Sequence, residues 1–243
     1  MPVRVGTSGW SYDHWRGVLY RPGLPASARL ERYVEEFNTV ELNASFYRWP
    51  TGPTFASWNA RMPPDFALTV KAHRGLTHYR RLRNPEPWIG RIESAWHQLG
   101  SRPKVLLVQL HPEQQRDDSR LDYFLSLLTG VRVAMEVRHP SWNAPAVYDI
   151  LERHAAAYVV TRGAGLPCVL QATTDFVYVR MHGPDPDSLY AGSYSSDDLQ
   201  WWSDRIDEWV RQDRDVFVYF NNDGYGYAVD NARELIRRLN RGR

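Results

Sequence analysis

The sequence holds a single cysteine, Cys168, which excludes an intramolecular disulfide and any paired-cysteine metal or redox site. No apolar run approaches the ~20 residues that a membrane-spanning helix needs. The opening segment, MPVRVGTSGW, has neither the apolar stretch nor the cleavage pattern of a secretory signal. A cytoplasmic protein with no membrane association is therefore expected. Neither sign of charge dominates: 30 Lys and Arg stand against 28 Asp and Glu, for a net charge of +2. There is no global basic field of the kind nucleic-acid binders carry, so any anion must be held locally. Low-complexity tracts, dividing Pro/Gly linkers, a Gly-x-Ser-x-Gly elbow, a Walker loop and an HExxH helix are also lacking. Serine or cysteine nucleophiles and P-loop nucleotide hydrolysis are without sequence support.

What is present is ordinary globular material, 43% apolar and 24% charged, in 243 residues. That length is close to the roughly 250 residues of a plain eightfold β/α barrel. Short β-branched, apolar runs recur at Val3–Gly6, Thr39–Asn43, Ala67–Lys71, Val105–Gln109, Arg132–Glu136, Tyr158–Thr161, Phe176–Met181 and Val216–Asn221. Between them lie stretches with helical spacing, such as Leu30, Tyr33, Val34 and Phe37, and Leu199, Trp202, Ile206 and Trp209. Single strands alternating with single helices predict parallel strands and crossover helices. The expected fold is α/β, one (β/α)8 TIM-type barrel over residues 1–243, with a polar site at its C-terminal mouth. The weakest unit falls between Arg162 and Asp175, where no helix pattern is evident. Three long connections, Thr7–Ser27, Ala72–Pro87 and His182–Ser196, each follow a strand, which is where barrel enzymes build their sites.

Strand side chains alternate in direction, so parity assigns each residue a face. Placing the apolar positions toward the helices turns Glu41 and Asn43, Lys71 and His73, Gln109 and His111, Glu136 and Arg138, Tyr178, Arg180 and His182, and Tyr219 and Asn221 inward. Charges buried in a barrel cost several kcal/mol per ion unless each is paired and hydrogen-bonded, so this polarity calls for an explanation. A structural ion-pair network is one; a catalytic cluster of Glu41, Lys71, Glu136, Arg138, Arg180 and His182 is the other, favoured by its place at the strand ends. Beside it runs a basic, aromatic loop, AHRGLTHYRRLRNPEPW, with Arg74, His78, Arg80 and Arg81, whose guanidinium forks suit phosphate oxygens. The Gly192–Ser195 turn offers backbone donors to complete an anion subsite. After the eighth strand, NNDGYGYAVDNA places Asn221, Asn222 and Asp223 where barrels often hold phosphate. His73, His111, Glu136, His139, His182 and Asp223 are candidate ligands for a divalent metal, but no short-spaced signature joins them, and no cofactor is expected.

Several segments resemble the YecE-like family of unknown function, DUF72: GTSGWSYDHWRG (6–17), NTVELNASFYRWP (38–50), KAHRGLTHYRRL (71–82), EVRHPSW (136–142), YVRMHG (178–183), YAGSYS (190–195) and YFNNDGYGYAVDNA (219–232). Together and in this order they span nearly the whole chain; Trp142 and Tyr194, which fall within two of them, are further ligand-binding candidates. The resemblance implies a TIM-type barrel and supplies no reaction.

The residues favour a hydrolase-like enzyme for a phosphate-bearing substrate, a nucleotide or nucleic acid, with arginines gripping the anion and Glu41 or Glu136 as general base. A Schiff base at Lys71 is a second reading, opposed by nearby carboxylates that hold a lysine protonated. A glycosidase is a third, although Gln109 and Arg180 stand where many barrel glycosidases carry their carboxylates. The alternative from another class is a non-catalytic binder of nucleic acid or of a small phosphorylated molecule. Nothing in the sequence points to a protein partner.

Overall fold

β-branched residues stiffen at χ1 and favour extended chain, and each of the eight runs becomes a strand. The computed structural model of the chain describes residues 2–241. Its strands are β1 (Val3–Thr7), β2 (Thr39–Leu42), β3 (Ala67–Lys71), β4 (Lys104–Gln109), β5 (Val133–Glu136), β6 (Ala157–Arg162), β7 (Phe176–Met181) and β8 (Asp215–Phe220). They form one sheet in the order β1-β8-β7-β6-β5-β4-β3-β2, and a parallel bridge joins Ser8, just past β1, to Glu41 of β2. The helices are α1 (Arg29–Val34), α2 (Ala44–Tyr47), α3 (Gly52–Arg61), α4 (Glu86–Leu99), α5 (Asp118–Ser126), α6 (Pro145–Arg153), α7 (Ser196–Arg211) and α8 (Tyr227–Arg241). Every strand except β6 is followed by a helix, and the fold class is the (β/α)8 TIM-type barrel. The helix missing after β6 falls where the sequence offers no helical spacing.

The described residues divide into two compact units. The first comprises residues 2–41, 160–171 and 175–241. Here β7 and β8 pair in register from Phe176 opposite Asp215 to Met181 opposite Phe220, and β8 pairs with β1. Helix α8 lies on β1 and β8 with Ala228, Ala232, Leu235 and Leu239 buried, and α7 lies on β8 with Leu199, Trp202, Ile206 and Trp209 buried. Burying each such aliphatic or aromatic side chain stabilises by roughly 1.5–3 kcal/mol. Ser195 starts α7 in a reciprocal capping box with Asp198.

The second unit holds residues 42–159 and 172–174. In it β3, β4 and β5 run parallel, with Leu106 opposite Val133 and Gln109 opposite Glu136. Helices α3 and α4 pack on each other, as do α5 and α6, and Val105–Val108 are fully buried. The long connection after β3 is not shapeless: Gly75–Tyr79 forms a π-helical turn, a geometry that recurs at functional sites.

Candidate active site

In the first unit Glu41 is completely buried and its carboxylate is fully engaged. Oε1 accepts from Ser8 Oγ at 2.7 Å and Arg180 Nη2 at 2.7 Å, and Oε2 accepts from Tyr178 OH at 2.7 Å and Arg180 Nε at 2.9 Å. The two arginine bonds are the bidentate fork that matches carboxylate geometry. Burial and the neighbouring carboxylate push the Tyr178 phenol well above its ordinary range, which keeps it a donor. Thr39 Oγ1 and Tyr219 OH meet at 2.6 Å, one pleat below. Tyr178 and Arg180 both bond Glu41, and Thr39 meets Tyr219, so these side chains lie on a common face of the strands, as their alternation demands.

Beyond the end of β7, His182 is buried with Nε2 3.4 Å from Arg180 Nη1 and Nδ1 3.2 Å from the Asn221 amide. Both contacts come from donors, the Arg180 guanidinium at Nε2 and the Asn221 amide nitrogen at Nδ1, and a neutral imidazole accepts from one of the two. Glu41, Arg180, His182 and Asn221 are thus one connected chain of side chains.

In the second unit, Glu136 is completely buried and Oε1 accepts from the Arg138 guanidinium through Nε and Nη2. Lys71 holds its ammonium 4.6 Å from the Phe46 ring centroid. The same Phe46 ring meets His78 edge-on at 4.8 Å, and His78 meets His111 at 5.2 Å. Burial first, then the charges of His111, Lys71 and Arg138, push the His78 imidazole down to about 4, with Glu136 opposing weakly. Lys71, His78, His111, Glu136 and Arg138 therefore form one electrostatically coupled group.

His73 stacks on Trp88 at 4.6 Å and is lowered by burial and by Arg74 and Arg91, against a hydrogen bond to Tyr47 O. Arg74 lies between two tyrosine rings, Tyr47 and Tyr79, at 5.5 Å from each. Arg80 is exposed, and Arg81 reaches Glu113 at 3.4 Å. Arg81, Leu82 and Asn84 all have positive φ, at 49°, 63° and 46°, a costly backbone that Leu82 anchors by full burial. Asn43 opens α2, and its side-chain oxygen is buried with no partner.

The chain matches the model of a family described as "protein of unknown function DUF72" over residues 4–243. The chain belongs to the DUF72 family. UPF0759 protein YunF of Bacillus subtilis is 26% identical across 98% of this chain and 94% of its own length. UPF0759 protein YecE of Escherichia coli K12 is 27% identical across 58% of this chain and 50% of its own length. Among solved structures, a DUF72 protein from Thermotoga maritima superposes with a TM-score of 0.85 at 30% identity, covering 98% of this chain and 99% of that one. A DUF72 protein from Enterococcus faecalis reaches 0.85 at 18% identity, covering 98% and 96%, and shows the same fold.

Several DUF72-like segments turn out to tie loops down. Trp142 is buried, and its indole N–H donates to Gln114 O at 2.7 Å. Tyr194 is buried and its hydroxyl accepts from Gly183 N. The Gly192–Ser195 turn corrects an expectation: the Tyr194 and Ser195 N–H groups donate to Asn231 Oδ1 and Asp198 Oδ2, so these donors are not available to an anion. Asn222 is buried, bonding Gly192 O and Asn231. Asp223 accepts from Trp15 Nε1 at 2.6 Å and meets His14 at 3.0 Å; burial raises its carboxyl. Ser8 and Phe46 are the members that sequence reasoning missed. Continuing the parity of β1 two residues past its Val3–Gly6 run would have found Ser8. Phe46 sits on the four-residue α2, and no periodicity marks it.

Among the described residues, no helix is long and apolar enough to cross a membrane, and no three of the His, Cys, Asp and Glu side chains are grouped to hold a metal ion.

Proposed function

We propose that this protein is a hydrolase-like enzyme acting on a phosphate-bearing substrate, with Lys71 and Arg138 drawing in the anion and His78 as the proton acceptor. The observation that carries this reading is the state of His78. It is held unprotonated at neutral pH by burial and by the cations around it. A phosphate among those cations would cancel their field, and the imidazole would regain affinity for a proton only when substrate is present. That is a base switched on by its substrate. Glu41 does not suit the same role, since both oxygens already accept two hydrogen bonds each; it is a positioning residue for Arg180. The Schiff-base reading is disfavoured, because the Phe46 face favours Lys71 in its charged form.

The test is an NMR titration of the His78 ring with and without inorganic phosphate, followed by turnover assays on phosphomonoesters, phosphodiesters and nucleotides. Phosphate should move the His78 midpoint upward by at least about one pH unit, and Lys71→Met should abolish the movement. An unmoved midpoint sinks the proposal. Binding without turnover of any ester would leave the non-catalytic binder in its place, a reading favoured by the saturated carboxylate of Glu41.

A further inference from the structure

We propose that Tyr47, Arg74 and Tyr79 form a stacking platform for the bases of single-stranded nucleic acid. This deepens the phosphate reading and rests on it, naming the polymer whose phosphate would enter beside Lys71 and His78.

The platform is an alternating ladder. The Arg74 guanidinium lies 5.5 Å from the centroids of both Tyr47 and Tyr79, yet those rings are 64% and 70% exposed. Each tyrosine therefore meets the cation and still offers ring surface to solvent. Single exposed aromatics are common and need no explanation. Two gathered around one arginine present what an unpaired base recognises: π-faces for stacking and a cation for its phosphate.

The ladder is held in place before any ligand arrives. A second stack backs it, with Arg91 4.5 Å from the Trp88 centroid and His73 stacked on that indole at 4.6 Å and 18°. His73 Nδ1 accepts from Gly75 N at 2.9 Å, so Nε2 carries the proton and donates to Tyr47 O at 3.1 Å. Gly75 is required for this closeness: a Cβ there would stand 2.6 Å from Trp88 Cζ2 and 2.8 Å from His73 Nδ1. Tyr79 closes the π-helical turn that Gly75 opens. The order already in the ladder lowers the entropic cost of binding.

The platform is continuous with the phosphate-binding group. Tyr47 packs against Phe46 at 5.1 Å, and Phe46 against His78 at 4.8 Å, with the Lys71 ammonium over the same ring. Two ring-to-ring steps thus separate a stacked base from the cations, the scale of a single nucleotide. Residues 71–84 contain no acidic side chain, while Arg80 and Arg83 stand exposed beside Tyr79. A neutral sugar polymer would have no use for these charges. A duplex keeps its base faces covered, so the unpaired strand is the form that fits.

The experiment is fluorescence anisotropy of the full chain with a labelled oligothymidylate of about twelve nucleotides, against the duplex of the same length. The single strand should bind more tightly than the duplex. Tyr47→Ala and Tyr79→Ala should each weaken binding at least about fivefold, while the Phe variants, which keep the ring, retain it. Both side chains are exposed, and unchanged melting curves will show that the Ala variants fold. Affinity unaltered in both Ala variants, equal binding of duplex, or no binding of the oligonucleotide overturns the platform. If phosphate still raises the His78 midpoint in those cases, the stacking proposal alone has failed; if phosphate leaves His78 unmoved, the phosphate reading has failed.

Discussion

Arg180 grips Glu41 at two points, Nε to Oε2 at 2.9 Å and Nη2 to Oε1 at 2.7 Å, with both side chains removed from solvent. A buried pair of this kind does not by itself prove stabilisation, because desolvating both ions offsets their attraction. Breaking it is another matter. Arg180→Met would leave a buried carboxylate without its cation, and urea denaturation should register a loss of about 3–5 kcal/mol. The double variant with Glu41→Leu should recover much of that loss. A single variant as stable as the parent would mean that solvent reaches Glu41.

Ser8 contributes the least expected bond of this network. Ser8→Ala removes one donor from a buried carboxylate that keeps three others, so a loss of about 1–3 kcal/mol is expected, smaller than for Arg180→Met. Ser8→Ala leaves the Arg180 fork and the Tyr178 bond to Glu41 in place, and urea denaturation of the two variants side by side should rank the losses in that order. A loss as large as that of Arg180→Met would contradict the smaller share assigned to the Ser8 bond.

Legibility in the sequence followed the physics of repetition. Strands β3 and β7 have the bounds that their apolar runs predict, and parity put Glu41, Tyr178 and Arg180 on one face, where Glu41 bonds both partners. The absence of a helix after β6 was equally readable. What repetition does not encode is partnership between distant segments: that Ser8 bonds Glu41, that Phe46 seats Lys71 and His78, or that Asn231 takes the Tyr194 N–H. Such pairings depend on how loops of unequal length return, and no spacing rule carries them. Trp142 and Tyr194 illustrate the converse, since conspicuous aromatics in loop segments serve as buried anchors.

Helix α6 ends in a motif that invites improvement. Ala156 N bonds Leu151 O at 2.8 Å and Ala155 N bonds Glu152 O at 3.0 Å, which places exposed Ala155 in the left-handed position at φ 49°. Glycine adopts that conformation without a Cβ penalty, and alanine does not. Ala155→Gly should therefore raise stability by about 0.5–1 kcal/mol, read as a higher denaturation midpoint at unchanged slope. A lowered midpoint would contradict the left-handed assignment.

The last prediction concerns pH and uses His78 as its probe. In the unfolded chain a histidine titrates near 6.5, whereas burial and the charges of His111, Lys71 and Arg138 hold His78 at about 4 in the folded protein. Between those values the unfolded chain binds a proton that the folded chain refuses, so lowering the pH favours unfolding. The stability tied to the neutral ring is fully present above 6.5, declines as the pH falls, and is gone below about 4. Solvent reaches part of the ring, which limits the effect to on the order of 1 kcal/mol. His78→Gln cannot titrate, and its stability should fall less than that of the parent between pH 7.5 and pH 4.5, while carboxylates common to both proteins cancel in the comparison. His73, lowered in the same direction by burial, should behave alike in His73→Gln. Parallel stability profiles for parent and His78→Gln would show that the imidazole titrates at its ordinary value when folded, and the substrate-switched base would lose its foundation.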